Sequence, residues 1–199
     1  MAANPTSLLA TSTPNVEISR LKRWTVEEYR TMFESDRPGT PETELIFGVI
    51  YEKMAKSPKH TSLVNTIKDN FNLLFPKQYN VRAEGPIIFP NIDSQPEPDI
   101  AVCRRKPYLK DHPTAADTLL IIEVALSSYR YDKNQKLPNY AAAEIPEYWI
   151  LDLKREKLEI YFDPSASTES YREQVDFPWG ATIQSPTFGD QKWGDLFDF

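Results

Sequence analysis

Residues 119–126 read Leu-Leu-Ile-Ile-Glu-Val-Ala-Leu, seven apolar side chains around a single charge, Glu123. So continuous a run suits a strand covered on both faces rather than one with a wet side. It predicts an interior strand of a sheet on which helices pack. Glu123 is then the residue to explain. An unpaired carboxylate in such a strand is costly or stays protonated. It calls for a cation, a hydrogen-bond cluster or a cleft, and the plainer alternative is a strand-end pairing with some Lys or Arg.

Working outward toward the N-terminus, Ile100 to Cys103 reads as a strand opened by Pro98-Asp99. Val81 and Ile87-Ile88-Phe89 also read as strands, punctuated by Pro86, Pro90, Pro96 and Pro98. Ser57-Pro58-Lys59 opens a helix with proline in its first turn, and Leu63, Ile67, Phe71 and Phe75 recur every four residues along one apolar face. Glu44 to Tyr51 carries β-rich residues on either side of Gly48, giving a strand pair or a bulged strand. Thr25-x-x-Glu28 is a capping box for a short helix to about Phe33, ended by Asp36-Arg37-Pro38-Gly39.

Toward the C-terminus a helix is expected from about Tyr131 to Ala143, and Pro138 inside it means that it begins late or kinks. Glu147 to Asp152 and Leu158 to Phe162 form an expected hairpin, with Tyr148-Trp149 read as core. Gln174-Val175 and Ala181 to Ile183 add edge strands. The aromatics Trp179, Phe188 and Trp193 should cover the sheet or a dimer face. This order gives an α/β fold, a mixed sheet flanked by helices. At 199 residues the chain suits one domain with an extension: a tail over 1–22, rich in Ser, Thr, Ala, Asn and Pro, and a single domain over 23–199.

The net charge of −6 argues against a surface coated in basic residues to hold nucleic acid non-specifically. It leaves room for an enzyme that acts on nucleic acid through a cation in a carboxylate site. No apolar run approaches the ~18 residues of a membrane span, and Leu8-Leu9-Ala10 is too short for a secretory core. A lone cysteine, Cys103, excludes an internal disulfide and a Cys-rich metal site. A cytoplasmic protein is the simplest reading. Loops are stiffened by 17 prolines rather than loosened by the 6 glycines.

Asp99 joins Glu123 as a candidate because the two sit on consecutive expected strands, which usually pair. Side by side they repel unless a divalent cation joins them, and oxygen-only ligation suits Mg²⁺ or Mn²⁺. Lys136, on the helix that leaves the Glu123 strand, can orient a water or offset anionic charge; Lys133, one turn earlier, competes with it, and a solvated lysine is the bland reading. His60 either touches this site or a phosphate, or merely caps a helix. Ser127 and Ser128 bind phosphate or simply turn the chain. Arg104-Arg105-Lys106 meets a phosphate backbone or forms a solvated loop. No G-x-S-x-G, P-loop, dinucleotide fingerprint or zinc pattern is present.

Pro98-Asp99, Glu123-Val124-Ala125 and Lys136 together resemble the PD-(D/E)xK nuclease superfamily. With Glu44-Leu-Ile-x-Gly48, His60, Ser127, Asp132-x-x-x-Lys136-Leu, Tyr140-Ala and Ile145-Pro-Glu147-Tyr-Trp149-Ile-x-Asp152, the match narrows to the Uma-type restriction-endonuclease-like family, long labelled a domain of unknown function and expanded in cyanobacteria. The resemblance covers roughly residues 24–165. It implies a restriction-endonuclease-like core with an extra N-terminal strand pair. It also implies Mg²⁺- or Mn²⁺-dependent phosphodiester hydrolysis on nucleic acid, DNA before RNA, by a chain that pairs as a homodimer. Asp99, Glu123 and the Val124 carbonyl would be the metal ligands, Lys136 the catalytic lysine and Glu44 an extra acid. One departure stands out: the third motif position, lysine in many nucleases, is Ala125 here, with Lys136 as its substitute. If that substitution is not functional, the fold serves as a non-catalytic binding or assembly module, with Glu123 and Lys136 as a structural ion pair.

Overall fold

The structure, a computed structural model, describes residues 21–33 and 42–197. The expected tail, apart from its last two residues, and the expected turn at Asp36–Gly39 lie outside these. Ten strands and five helices are described, and six of the strands form one sheet in the order β3-β4-β5-β6-β7-β8. These are β3 (Tyr79–Ala83), β4 (Ile100–Arg104), β5 (Thr118–Ala125), β6 (Glu147–Asp152), β7 (Lys157–Ser165) and β8 (Ser170–Pro178). Neighbours run antiparallel except β5 and β6, which are parallel.

A parallel pair needs a crossover. Here it is a helical segment of three parts: α3 (Tyr129–Tyr131), a π turn (Asp132–Lys136) and α4 (Leu137–Ala142). The π turn resolves the difficulty of Pro138. Leu137 N–H bonds to Asp132 C=O, and Pro138 falls in the first turn of α4, where its missing N–H is not needed.

β5 is an inner strand of the sheet, as its apolar run requires, and its period of two divides the core. Leu120, Ile122 and Val124 face one cluster, with Phe71, Trp149 and Leu196. Ile121 and Ala125 face the other, with Tyr140, Tyr148 and Tyr161. Glu123 therefore points to the second face, toward the crossover. The first face is closed by α2 (Pro58–Leu74) through Leu63, Val64, Ile67 and Phe71. It is also closed by β9 (Thr182–Ser185) and α5 (Trp193–Leu196), with β10 (Gly189–Lys192) joining the two. The C-terminal aromatics thus cover the sheet. β9 pairs only with β10, so the strand expected near 181–183 forms a separate hairpin rather than a sheet edge.

The remaining elements are α1 (Val26–Phe33) and a hairpin of β1 (Thr43–Ile46) and β2 (Val49–Glu52). Thr25 Oγ1 accepts from Glu28 N–H while Glu28 Oε2 accepts from Thr25 N–H, the capping box as expected. Positive φ at both turn residues, Phe47 (49°) and Gly48 (74°), gives a tight two-residue connection. A Cβ on Gly48 would meet Arg23 Cβ at 2.9 Å and Trp24 O at 3.0 Å. This is the N-terminal strand pair; the alternative of one bulged strand does not hold. Ile87-Ile88-Phe89 differs from expectation as well. It is buried, but it makes only single bridges, Ile88 to Thr114 and Phe89 to Ser94, because prolines on both sides remove ladder donors. Among the described residues no helix is long and apolar enough to cross a membrane.

Candidate active site

The register of β4 on β5 pairs Ile100 with Ile122, so one step further Asp99 stands beside Glu123. Asp99 N–H donates to Glu123 Oε2 at 3.3 Å, and Val124 N–H donates to Asp99 Oδ2 at 2.7 Å. The Glu123 carboxylate is thereby held by the backbone of Asp99, and the Asp99 carboxylate by the backbone of Val124. From the crossover, Lys136 Nζ reaches Glu123 Oε1 at 2.9 Å and Glu44 Oε2 at 3.6 Å. Tyr140 OH donates to the same Glu123 oxygen at 2.8 Å. Residues 132, 136 and 140 lie four apart and are all buried, one stripe of the helical segment turned toward β5.

Glu44 arrives on the β1–β2 hairpin, which is tied to the body by reciprocal backbone bonds between Leu45 and Gln95. Its carboxylate accepts from Tyr131 OH at 2.9 Å and from Glu97 N–H at 3.0 Å. Glu44, Asp99, Glu123, Val124 and Lys136 thus all line one cavity of about 240 Å³. Ser127, Ser128, Asp132 and His60 line it too.

His60 is the residue that sequence reasoning undervalued. Ser57 caps α2 by accepting from His60 N–H at 3.2 Å, so the residue does sit in a cap. Its ring nevertheless turns inward, with Nε2 3.0 Å from Asp99 Oδ2. That hydrogen bond raises the imidazole pKa against its partial burial. Burial would raise the Asp99 carboxyl, but His60 and Lys136 outweigh it and hold it below the usual range. Burial pushes Glu123 well up, against the pull of Lys136. Burial would lower Lys136 in turn, but Glu123, Glu44 and Asp132 keep its ammonium strongly protonated. Burial likewise lifts Asp132 to about 6.

Six carboxylates line the cavity, Glu44, Glu52, Glu97, Asp99, Glu123 and Asp132, against the ammonium groups of Lys53, Lys56 and Lys136, an excess of acid that a divalent cation would relieve. Oxygen donors of this kind fit Mg²⁺ or Mn²⁺. On the α2 side, His60, Glu84 and Asp99 also offer ligand atoms within 4.8 Å of one another.

Arg104, Arg105, Lys106 and Arg130 do not line the cavity, and Lys106 pairs with Asp117 at 2.6 Å. The solvated-loop reading of 104–106 therefore stands. Lys133, the competitor of Lys136, bonds instead to Glu159 and Tyr161. Basic residues reach the cavity through Lys53, paired with Glu97, and Lys56, paired with Glu84. Ala125 is buried in the second apolar cluster, so the third motif position presents no charge to the site.

Comparison with known proteins adds two findings. The sequence model of the Uma2 family, described as "Putative restriction endonuclease", matches residues 26–194. A crystal structure from Anabaena variabilis ATCC 29413, described as a "putative nuclease belonging to DUF820", has a similar fold. Its TM-score is 0.64 at 22% identity, covering 87% of this chain and 97% of that one. Among curated proteins none matches significantly.

Proposed function

The chain belongs to the Uma2 family, described as "Putative restriction endonuclease", and from that premise we propose that it hydrolyses phosphodiester bonds in nucleic acid with a divalent cation. The observation that carries this reading is the meeting of Glu44, Asp99, Glu123 and Lys136, from four separate segments, in one largely buried cavity. Asp99, Glu123 and the Val124 carbonyl would hold the ion. When bound, Mg²⁺ or Mn²⁺ supplies Lewis acidity toward a phosphate oxygen. Lys136 presents a fixed ammonium that orients the attacking water or offsets charge developing on the phosphate. Glu44 keeps that ammonium aimed, and His60 holds Asp99 ionised and in place.

The same reading takes residues 23–199 as one domain, DNA as the polymer, and a cytoplasmic homodimer as the unit that cuts two strands. The test is to incubate the purified chain with DNA and RNA in Mg²⁺ or Mn²⁺, beside Asp99→Asn and Glu123→Gln. Cleavage should vanish in both variants; equal cutting by them would sink the assignment. Light scattering on the eluting protein tests the dimer.

A second reading has its own support. Lys136 and Glu123 already form a buried ion pair, and Ala125 leaves the third motif position apolar. A non-catalytic binding or assembly module would keep this pair for structure alone. It would then gain no stability from Mn²⁺, whereas a metal site would.

A further inference from the structure

The register of β3 on β4 pairs Ala83 with Ile100, so the next step sets Glu84 beside Asp99, and Glu84 N–H donates to Asp99 C=O at 3.0 Å. Since Asp99 also stands beside Glu123, three acids form one row across three adjacent strands. Glu84 has no place in the machinery above. Together with His60 from α2, however, Glu84 and Asp99 each offer a ligand atom, all within 4.8 Å of one another. His60 and Asp99 line the cavity and Glu84 does not, so this group lies at its α2 side.

The geometry of the group is that of a ligand set. His60 Nε2 and Asp99 Oδ2 are 3.0 Å apart. That is the separation of two neighbouring donors at a right angle around an ion with bonds of about 2.1 Å. The other ring nitrogen, His60 Nδ1, is shielded from solvent and has no hydrogen-bond partner, so the bond to Asp99 alone leaves the imidazole half satisfied. A cation is already drawn to the third member: Lys56 Nζ lies 3.1 Å from Glu84 Oε1, in a partly exposed pair of the kind that gives way easily.

We infer that His60, Glu84 and Asp99 hold a late first-row transition-metal ion, Zn²⁺ before Mg²⁺ or Mn²⁺. The imidazole sets the preference, whereas the oxygen-only set of Asp99, Glu123 and the Val124 carbonyl suits Mg²⁺ or Mn²⁺. Three protein ligands leave room for water on the ion. The ion takes the place of the proton between His60 and Asp99, which passes to the buffer, and Lys56 releases Glu84. Asp99 is common to both sets, but His60 and Glu84 ligate in this one alone, so the two fail separately.

Calorimetric titration of Zn²⁺ into the full chain in excess Mg²⁺ tests it, with His60→Gln, Glu84→Gln and Glu123→Gln alongside. Wild type should show a Zn²⁺ binding step that His60→Gln and Glu84→Gln each weaken about tenfold or more, and that Glu123→Gln leaves unchanged. Melting curves without metal show which variants are folded. Glu84, the most exposed of the three ligands, keeps the test decisive if His60→Gln is not. A step that Glu123→Gln abolishes puts the ion in the carboxylate site, which overturns this site and leaves metal-dependent hydrolysis standing. A step that either folded variant, His60→Gln or Glu84→Gln, leaves intact lies elsewhere and overturns it too. No Zn²⁺ step in wild type overturns it as well, and a Mn²⁺ titration without Mg²⁺ then decides the metal-dependent reading on its own.

Discussion

Lys136 Nζ lies 2.9 Å from Glu123 Oε1, although the lysine belongs to the crossover and the glutamate to the inner strand β5. Both side chains are under 10% exposed. The parallel pairing of β5 with β6 imposes this meeting, because the chain must return over the sheet before β6 can begin.

Breaking one side of that pair should cost far more than removing both. Lys136→Met is expected to destabilise by about 3–5 kcal/mol, since it strands a buried carboxylate. Glu123→Gln/Lys136→Met should recover much of the loss, a coupling that a double-mutant cycle in urea measures directly. Additive losses would contradict the pairing.

Mn²⁺ should raise the melting temperature of the wild type. At a hundred times its dissociation constant, a ligand specific for the folded state adds about 2.7 kcal/mol, or roughly 5–10 °C for a chain of this size. Glu123→Gln should show no such rise. An equal rise in both would move the ion elsewhere.

Acid stability should depend on Glu159, which lies away from the cavity. Burial would raise its carboxyl, but Lys157, Tyr161 and Tyr129 outweigh it and pull it down to about 2. A carboxyl depressed in the folded state contributes stability that is present above its unfolded value near 4.5 and lost as pH falls toward about 2. Glu159→Gln should therefore lose about 1–3 kcal/mol at neutral pH, the worth of a charged hydrogen bond. The gap to wild type should close between pH 4.5 and 2. Urea unfolding across that range reads it.

Cys103 should be inert. It is fully buried in β4, and burial pushes its thiol up to about 11, with Thr118 only partly opposing. Iodoacetamide at pH 8 should leave the folded chain unlabelled over a time that labels it fully in urea. Rapid labelling of the folded chain would contradict the packing of this strand.

What the sequence discloses follows from how local each signal is. β5 was legible from its apolar run, and the pairing of Asp99 with Glu123 followed from consecutive strands, as the register of β4 on β5 bears out. Lys136 was a candidate by its place after the strand, and its contact with Glu123 came only with the fold. His60 was hidden because a histidine at a helix start gives no sign of which way its ring turns. Asp132 stood in a quoted motif without a role, since its burial is produced by a π turn that no periodicity announces. β8, nine residues long, was read only at Gln174-Val175 because most of its residues are exposed and show no apolar alternation.

Glu147, at the start of β6, is fully buried and accepts from Trp149 Nε1 at 2.7 Å, Ser185 Oγ at 3.0 Å and Thr187 N–H at 3.0 Å. Two of those donors belong to the β9–β10 hairpin, which contributes no residue to the cavity. Trimming the chain after Pro178 would spare every acid and lysine of the cavity. It would also strand Glu147 and strip the aromatic cover from Trp149 and Phe71. The shortest fragment that holds every acid and lysine of the cavity is thus too short to keep their strands packed, and a cut that removes the C-terminal hairpin would loosen a cavity it never touches.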